Sequence, residues 1–217
     1  MRLEIKDMGM VYPDRFIPIA EENGQIHALT MIILNKTCAA VKSLMARGYE
    51  VSRVSVNASA LELKDEHFCE DVVGIIRRCG VPGEKIAIEL TESRTDSDFD
   101  QMKLRIEELR QHGIKFYLDD FGTGYSNMER IMELPFDIIK FDRSMVLASE
   151  ASERSRAIVF SLASMFHGLN YSVLYEGVEK DSMERMCMDM SASYLQGYKY
   201  SRPVPIERLE EYFSPAA

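Results

Sequence analysis

Five stretches of this chain that read as β-strands end in side chains able to do chemistry: Asn57, Glu89, Asp119 with Asp120, Lys140 with Asp142, and Glu176 with Glu179. A single acidic residue after a strand is most often a helix N-cap, because an Asp or Ser oxygen satisfies a free helix N–H. Five such ends together require more than caps. Carboxylates gathered at one place repel one another unless protons or cations intervene. Oxygen donors without His or Cys favour magnesium, manganese or calcium over zinc. The substrate that suits such a site is a phosphate ester, since two divalent ions about 4 Å apart can clamp a phosphodiester, activate a water and neutralise the leaving oxygen. Lys140 is the one lysine among these ends. It either adds positive charge and orients the water or simply pairs with a neighbouring carboxylate, and spacing does not separate the two. In DDFGTGYSN, Gly122 and Gly124 permit a tight turn that either gates the site or is an ordinary βα connection.

Such residues act together only if the fold brings them to one end. Strand-like runs are expected at Val54 to Asn57, Lys85 to Leu90, Ile114 to Asp119, Asp137 to Phe141 and Ser172 to Glu176. Helical periodicity fills the intervals at Gln25 to Arg47, Asp65 to Arg78, Asp98 to Gln111, Ser149 to His167 and Lys180 to Met190, with Asp65 and Asp98 as polar caps. Strand then helix, repeated, implies a parallel sheet. Within the strands, Ile86, Ile88 and Leu90 share one parity and Ala87 and Glu89 the other; Val54 and Val56 alternate with Ser55 and Asn57, and Phe116 and Leu118 with Tyr117 and Asp119. Ile139 and Phe141 alternate less cleanly with Ile138, Lys140 and Asp142. Large residues facing helices and small or polar ones facing inward suit a closed barrel, whose catalytic mouth lies at the strand C-termini.

Composition narrows the classes. With 217 residues, 46% hydrophobic and 28% charged, the chain reads as one large globular domain. Its formal charge of -9 and unclustered Lys and Arg oppose binding to DNA or RNA polymers. No apolar run is read as approaching the roughly 20 residues of a membrane span. The scattered Cys38, Cys69, Cys79 and Cys187 suggest neither zinc nor a disulfide framework, and with the charged opening MRLEIKD they point to the cytoplasm. The 14 methionines read as core filling.

FIPIAEENG, SVNAS, ELTES, DDFGTGYSN, LPFDIIKFDRS, YEGVE and QGYKYSRP occur in this order from near Arg2 to about Pro205. In this the sequence resembles the EAL domain family of cyclic di-GMP phosphodiesterases. The resemblance implies an α/β fold of the (β/α)₈ TIM-barrel type holding two magnesium or manganese ions, and hydrolysis of cyclic di-GMP to linear pGpG. It assigns the metal site to Asn57, Glu89, Asp119, Asp120 and Glu176, with Asp119 bridging, and water activation to Lys140. Gln196 would support the site, Arg2 contact a substrate phosphate, and Glu92 hold the glycine-rich loop. Asp142 and Glu179 fall beside the substrate or behind the ligands.

The family's Glu-Ala-Leu triplet would stand just before Met1, so residues 1–217 are expected to form one EAL-like domain truncated at its N-terminus, short of one carboxylate ligand and weakened in activity. Other departures are Tyr175 for Ala, Asn127 for Ser, and Ser191 and Ser193 for Gly and Asp. The alternatives are an inactive cyclic di-GMP receptor or protein-interaction module and, less favoured, an unrelated metal-dependent barrel. Homodimerisation near the glycine-rich loop and fusion to sensory or diguanylate cyclase domains are further expectations from the resemblance.

Overall fold

The computed structural model describes residues 3–5, 9–90, 99–123 and 128–212. A short antiparallel hairpin, β1 (Leu3–Ile5) and β2 (Gly9–Val11), precedes helices α1 (Pro13–Glu22) and α2 (Ile26–Ala46). A six-stranded parallel sheet follows: β3 (Val54–Ala58), β4 (Ile86–Leu90), β5 (Lys115–Phe121), β6 (Ile138–Phe141), β7 (Ser172–Tyr175) and β8 (Tyr194–Leu195). The intervals carry α3 (Phe68–Cys79), α4 (Phe99–Gln111), α5 (Met128–Glu133), α6 (Arg143–Ala151), α7 (Glu153–Gly168) and α8 (Asp181–Asp189).

Within this sheet each strand pairs with the next in sequence, and the order never reverses. A doubly wound sheet needs a reversal, with helices on both faces. An unreversed order with right-handed crossovers puts every helix on one face, as in a barrel wall. Two apolar clusters mark the two faces. Ile86, Ile88, Leu90, Phe116, Leu118, Ile139, Phe141, Val173 and Tyr175 join the large core beneath the helices. Ala87, Tyr117 and Ile138, with Leu174, form a separate small cluster on the opposite face, the floor of the interior. The expected parity therefore holds from β4 to β6.

Local chemistry sets the helix limits. α3 carries Glu70 and Asp71 in its first turn, Arg77 and Arg78 in its last, and Gly80 in the left-handed conformation as its cap (φ 69°), which agrees with the helix dipole and a glycine C-cap. It starts later than expected: Asp65 accepts from the His67 N–H at 2.9 Å while Ala60–Lys64 form a 3-10 turn. The helix expected from Ser149 to His167 is two helices, because Asp142 caps α6 and Ser152, in an extended conformation, caps α7. α2 also corrects an expectation, being apolar and long enough to cross a membrane by composition (mean hydropathy 1.3). In this structure it lays Leu34, Cys38, Val41 and Leu44 into the large core. All four cysteines are free thiols.

The 3-10 turn is held by a capping box whose acid is buried. Glu62 Oε2 accepts from the Ser59 N–H and the Thr30 hydroxyl, both at 2.9 Å, and the Ser59 hydroxyl donates to Glu21 at 2.6 Å. Glu62 Oε1 and His27 Nδ1 face each other at 3.7 Å, both buried and both without a hydrogen-bond partner. Burial pushes the Glu62 carboxyl above its ordinary 4.5, and its hydrogen bonds only partly oppose this. A raised folded-state value stabilises below about pH 4.5 and is lost as pH rises through that raised value. Glu62→Gln keeps the acceptor, offers His27 a donor and does not titrate. It is expected to raise the melting temperature by about 2–4 °C at pH 8, equivalent to about 1 kcal/mol, with the gain shrinking toward pH 5. Thermal melts at the two pH values test this, and a gain independent of pH would show that the carboxylate is not the cause.

Candidate active site

The mouth is built from the inward residues at the strand ends. Asn57 stands opposite Glu89 in the β3–β4 register, on the face away from the large core, with its side chain exposed. Glu89, Asp119 and Lys140 are nearly buried on β4, β5 and β6. Glu176 follows β7 directly, and its N–H donates to the Phe141 carbonyl at 3.0 Å, which extends the ladder by one residue.

Lys140 is the hub. Its Nζ lies 2.6 Å from Asp119 Oδ1, 2.8 Å from Glu176 Oε1 and 3.1 Å from Glu89 Oε2. Burial alone would depress the ammonium, but Glu89, Asp119 and Glu176 outweigh it and hold its pKa above the usual lysine value. With these three carboxylates as partners Lys140 is charged at neutral pH. Of the two roles left open by its spacing, the pairing with neighbouring carboxylates is seen here, threefold.

Asp119 and Asp120 are adjacent, and regular alternation would send them to opposite faces. A β-bulge prevents this. Leu118 pairs with Ile139 and Phe121 with Phe141, so three steps on β5 match two on β6. Asp120 takes up the extra residue in the left-handed region, at φ 55°. Phe121 then turns outward to stack on Phe141 (5.4 Å between ring centroids). Carboxylate oxygens of Asp119, Asp120 and Glu176 come within 4.8 Å of one another. Burial raises the Asp120 carboxyl, with Asp119 and Asp142 adding to the effect. Burial also raises Glu176, and Lys140 only partly offsets it. Half-buried oxygen donors whose negative form is disfavoured by its neighbours suit a hard divalent cation, so the residues present fit the expected metal.

Beside Glu176 lies a cavity of about 250 Å³ lined by Arg143, Glu176, Gly177, Glu179, Gln196, Gly197 and Tyr198. Arg143 Nη2 donates to Glu179 Oε1 at 2.7 Å. A Cβ on Gly177 would overlap the Arg143 side chain, and one on Gly197 would overlap the Val178 backbone, which explains glycine in YEGVE and QGYKY. Of the residues expected at the site, Glu89, Asp119, Asp120, Lys140 and Glu176 converge, and Glu179 and Gln196 line the adjoining cavity. Asp142 accepts from the Ser144 N–H at 2.8 Å as the N-cap of α6. Arg2 and Glu92 lie outside the described residues. Arg143 and Tyr198 were not anticipated; both stand inside stretches already singled out, LPFDIIKFDRS and QGYKYSRP, the first adjoining Asp142 and the second two positions after Gln196.

Comparison with known proteins places this arrangement in context. A family model described as EAL domain matches residues 1–203. "Cyclic di-GMP phosphodiesterase NbdA" of Pseudomonas aeruginosa is 35% identical over 204 residues, 94% of this chain and 26% of that protein. The chain therefore spans about a quarter of that relative's length. The solved structure of PaMucR phosphodiesterase in complex with c-di-GMP superposes with a TM-score of 0.87 at 28% identity, covering 96% of this chain and 84% of that one. The calcium/cy-diGMP complex of Klebsiella pneumoniae BlrP1 gives 0.75 at 25% identity, covering 88% of this chain and 47% of that one.

Proposed function

Because the chain belongs to the EAL domain family, we propose that its acidic mouth hydrolyses cyclic di-GMP to linear pGpG, with magnesium or manganese bound. The oxygen of one water bonds to phosphorus, the bond from phosphorus to one sugar oxygen breaks, and that oxygen leaves as a hydroxyl carrying a proton that balances the one lost by the water. The observation that carries this reading is the convergence of Asp119, Asp120 and Glu176 within 4.8 Å beside a charged Lys140. Divalent cations held there supply a lowered water pKa and neutralise charge on the phosphoryl group.

The chain's own residues divide the remaining work. Asp119, Asp120 and Glu176 hold cations, and Asn57 and Glu89 offer oxygens on the same inward face. Lys140 orients the attacking water and stabilises the negative charge that grows as it attacks. Arg143 meets a phosphate, while Glu179 and Gln196 supply acceptors for the base N–H groups in the adjoining cavity. Arg2 and Glu92 keep the phosphate-contact and loop-holding roles that the resemblance gives them, and Asp142 positions α6 behind the cavity. The same reading makes the chain one module of a larger signalling protein.

The test is product analysis. Cyclic di-GMP incubated with the protein at saturating Mn²⁺ or Mg²⁺ is expected to yield pGpG, to yield none in EDTA, and to yield none with Glu176→Gln. Tight binding of the intact cyclic dinucleotide with no product in either metal would instead establish a receptor.

A further inference from the structure

Four aromatic rings stand directly behind the site residues. Phe121 follows Asp120, Phe141 follows Lys140 and Tyr175 precedes Glu176, each turned outward into the large core. Phe166 of α7 joins them, with ring centroids 5.3 Å from Phe121 and 5.9 Å from Phe141. Tyr175 packs edge-on against Phe141 at 5.2 Å and pairs with it in register. It differs from the others in carrying a hydroxyl, which it cannot bury without a partner. Tyr175 is fully buried, and its Oη donates to the Met190 carbonyl at the end of α8, at 2.9 Å.

Met190 opens a turn that other contacts also grip. Ser191 sits in the left-handed region (φ 62°), and its carbonyl accepts from His167 Nε2 at 2.7 Å. The Ser193 hydroxyl accepts from the Val173 N–H at 3.1 Å, and the Ser193 N–H donates to the Val173 carbonyl at 2.9 Å. The Tyr175 carbonyl accepts from the Gln196 N–H at 2.9 Å. Tyr175, Ser191 and Ser193, departures scattered along the sequence, thus meet around one turn.

We propose that Tyr175 is a positioning residue: its ring and hydroxyl lock the end of β7 to the α8–β8 turn, and so fix Glu176 and Gln196 relative to Asp119, Asp120 and Lys140. The inference rests on the metal site proposed above, since its consequence is read there. Without the hydroxyl, the Met190 carbonyl loses its partner and the turn can drift from β7, leaving Glu176 less well placed to share a cation with β5.

Tyr175→Phe keeps the ring and removes only the hydrogen bond. Mn²⁺ affinity, followed by electron paramagnetic resonance, is expected to fall about 10-fold, the low end of what losing a partner behind a ligand costs. Amide hydrogen exchange should quicken in residues 172–178 and 190–197. Val72→Ala, in α3 away from the turn, is the control for general destabilisation. It should lower the melting temperature without moving Mn²⁺ affinity. The proposal is overturned if Tyr175→Phe binds Mn²⁺ within twofold of wild type, or loses no more affinity than Val72→Ala. Should wild type itself bind no Mn²⁺, the metal reading fails, and exchange decides the clamp separately. Quickening confined to those two segments upholds it, and unchanged exchange refutes it.

Discussion

Lys140→Ala is expected to cut cyclic di-GMP turnover by about 10²- to 10³-fold, the range seen when one preorganised charge or donor is removed from a reacting centre. Substrate affinity should change far less, because the ammonium meets charge that develops during reaction. The same substitution strikes the fold. Three carboxylates now contact one buried cation, and leaving such groups unpaired costs about 3–5 kcal/mol. The lysine's raised value means that its stabilisation is fully present below the unfolded-state lysine pKa and is lost only as pH rises through the folded value, so the whole loss appears at neutral pH. Much of it should return on adding Mn²⁺, which neutralises the same oxygens. Urea unfolding with EDTA or Mn²⁺, beside kcat and a substrate dissociation constant, separates the effects. Equal losses in kcat and affinity would mark Lys140 as a binding residue, and an undiminished metal-free stability would mean that the carboxylates do not need it.

Asp120→Gly should have opposite effects on stability and function. A non-glycine residue held in the left-handed region costs about 1–2 kcal/mol, somewhat less for Asp, and Asp120 sits there at φ 55°. Its carboxyl is also disfavoured by burial and by Asp119 and Asp142. Glycine removes both costs, offset by about 0.5–1 kcal/mol of extra unfolded-state entropy. In EDTA the variant is expected to melt at or up to about 4 °C above wild type. Mn²⁺ affinity should nevertheless fall at least about 100-fold and turnover approach background, because one of the proposed cation ligands is gone. Asp120→Asn, which tolerates the same backbone and removes only the disfavoured carboxyl, should lose metal with only the electrostatic part of the stability gain. A markedly lower melting temperature for Asp120→Gly in EDTA would refute the strain argument.

The strands that carry the site were legible because parity and polarity agree there: Ala87 and Glu89 inward, Ile86, Ile88 and Leu90 outward. Where the two conflict, the reading failed. Regular alternation puts Phe121 inside with Asp119, which is the wrong side for a phenylalanine. That mismatch is the mark of the bulge, and it went unread. The short β8, Tyr194–Leu195, carries no period of its own and exists because β7 offers it an edge. No helix is expected over α1, which contains Pro18, although Pro13 at its first turn is a start signal. The break at Ser152 lies inside continuous helical composition, which does not mark where α6 ends and α7 begins. Of the proposed site, the acidic residues could be listed from the sequence. The threefold pairing of Lys140 could not, since β4, β5, β6 and β7 each supply one member.

Unreversed strand order also has a kinetic side. Because every strand from β4 to β8 pairs with the one made just before it, the six-stranded sheet can be laid down in the order in which a ribosome delivers it. On that path Glu89, Asp119 and Asp120 come together first, as an uncompensated anionic notch. The neutralising lysine emerges 21 residues after Asp119 and docks onto an edge already charged to receive it. Glu176 arrives last of the set, on β7. A cation held by both Asp120 and Glu176, as proposed, would therefore be captured only once assembly is nearly complete. Its binding free energy then appears chiefly as slower unfolding, with little acceleration of the early steps.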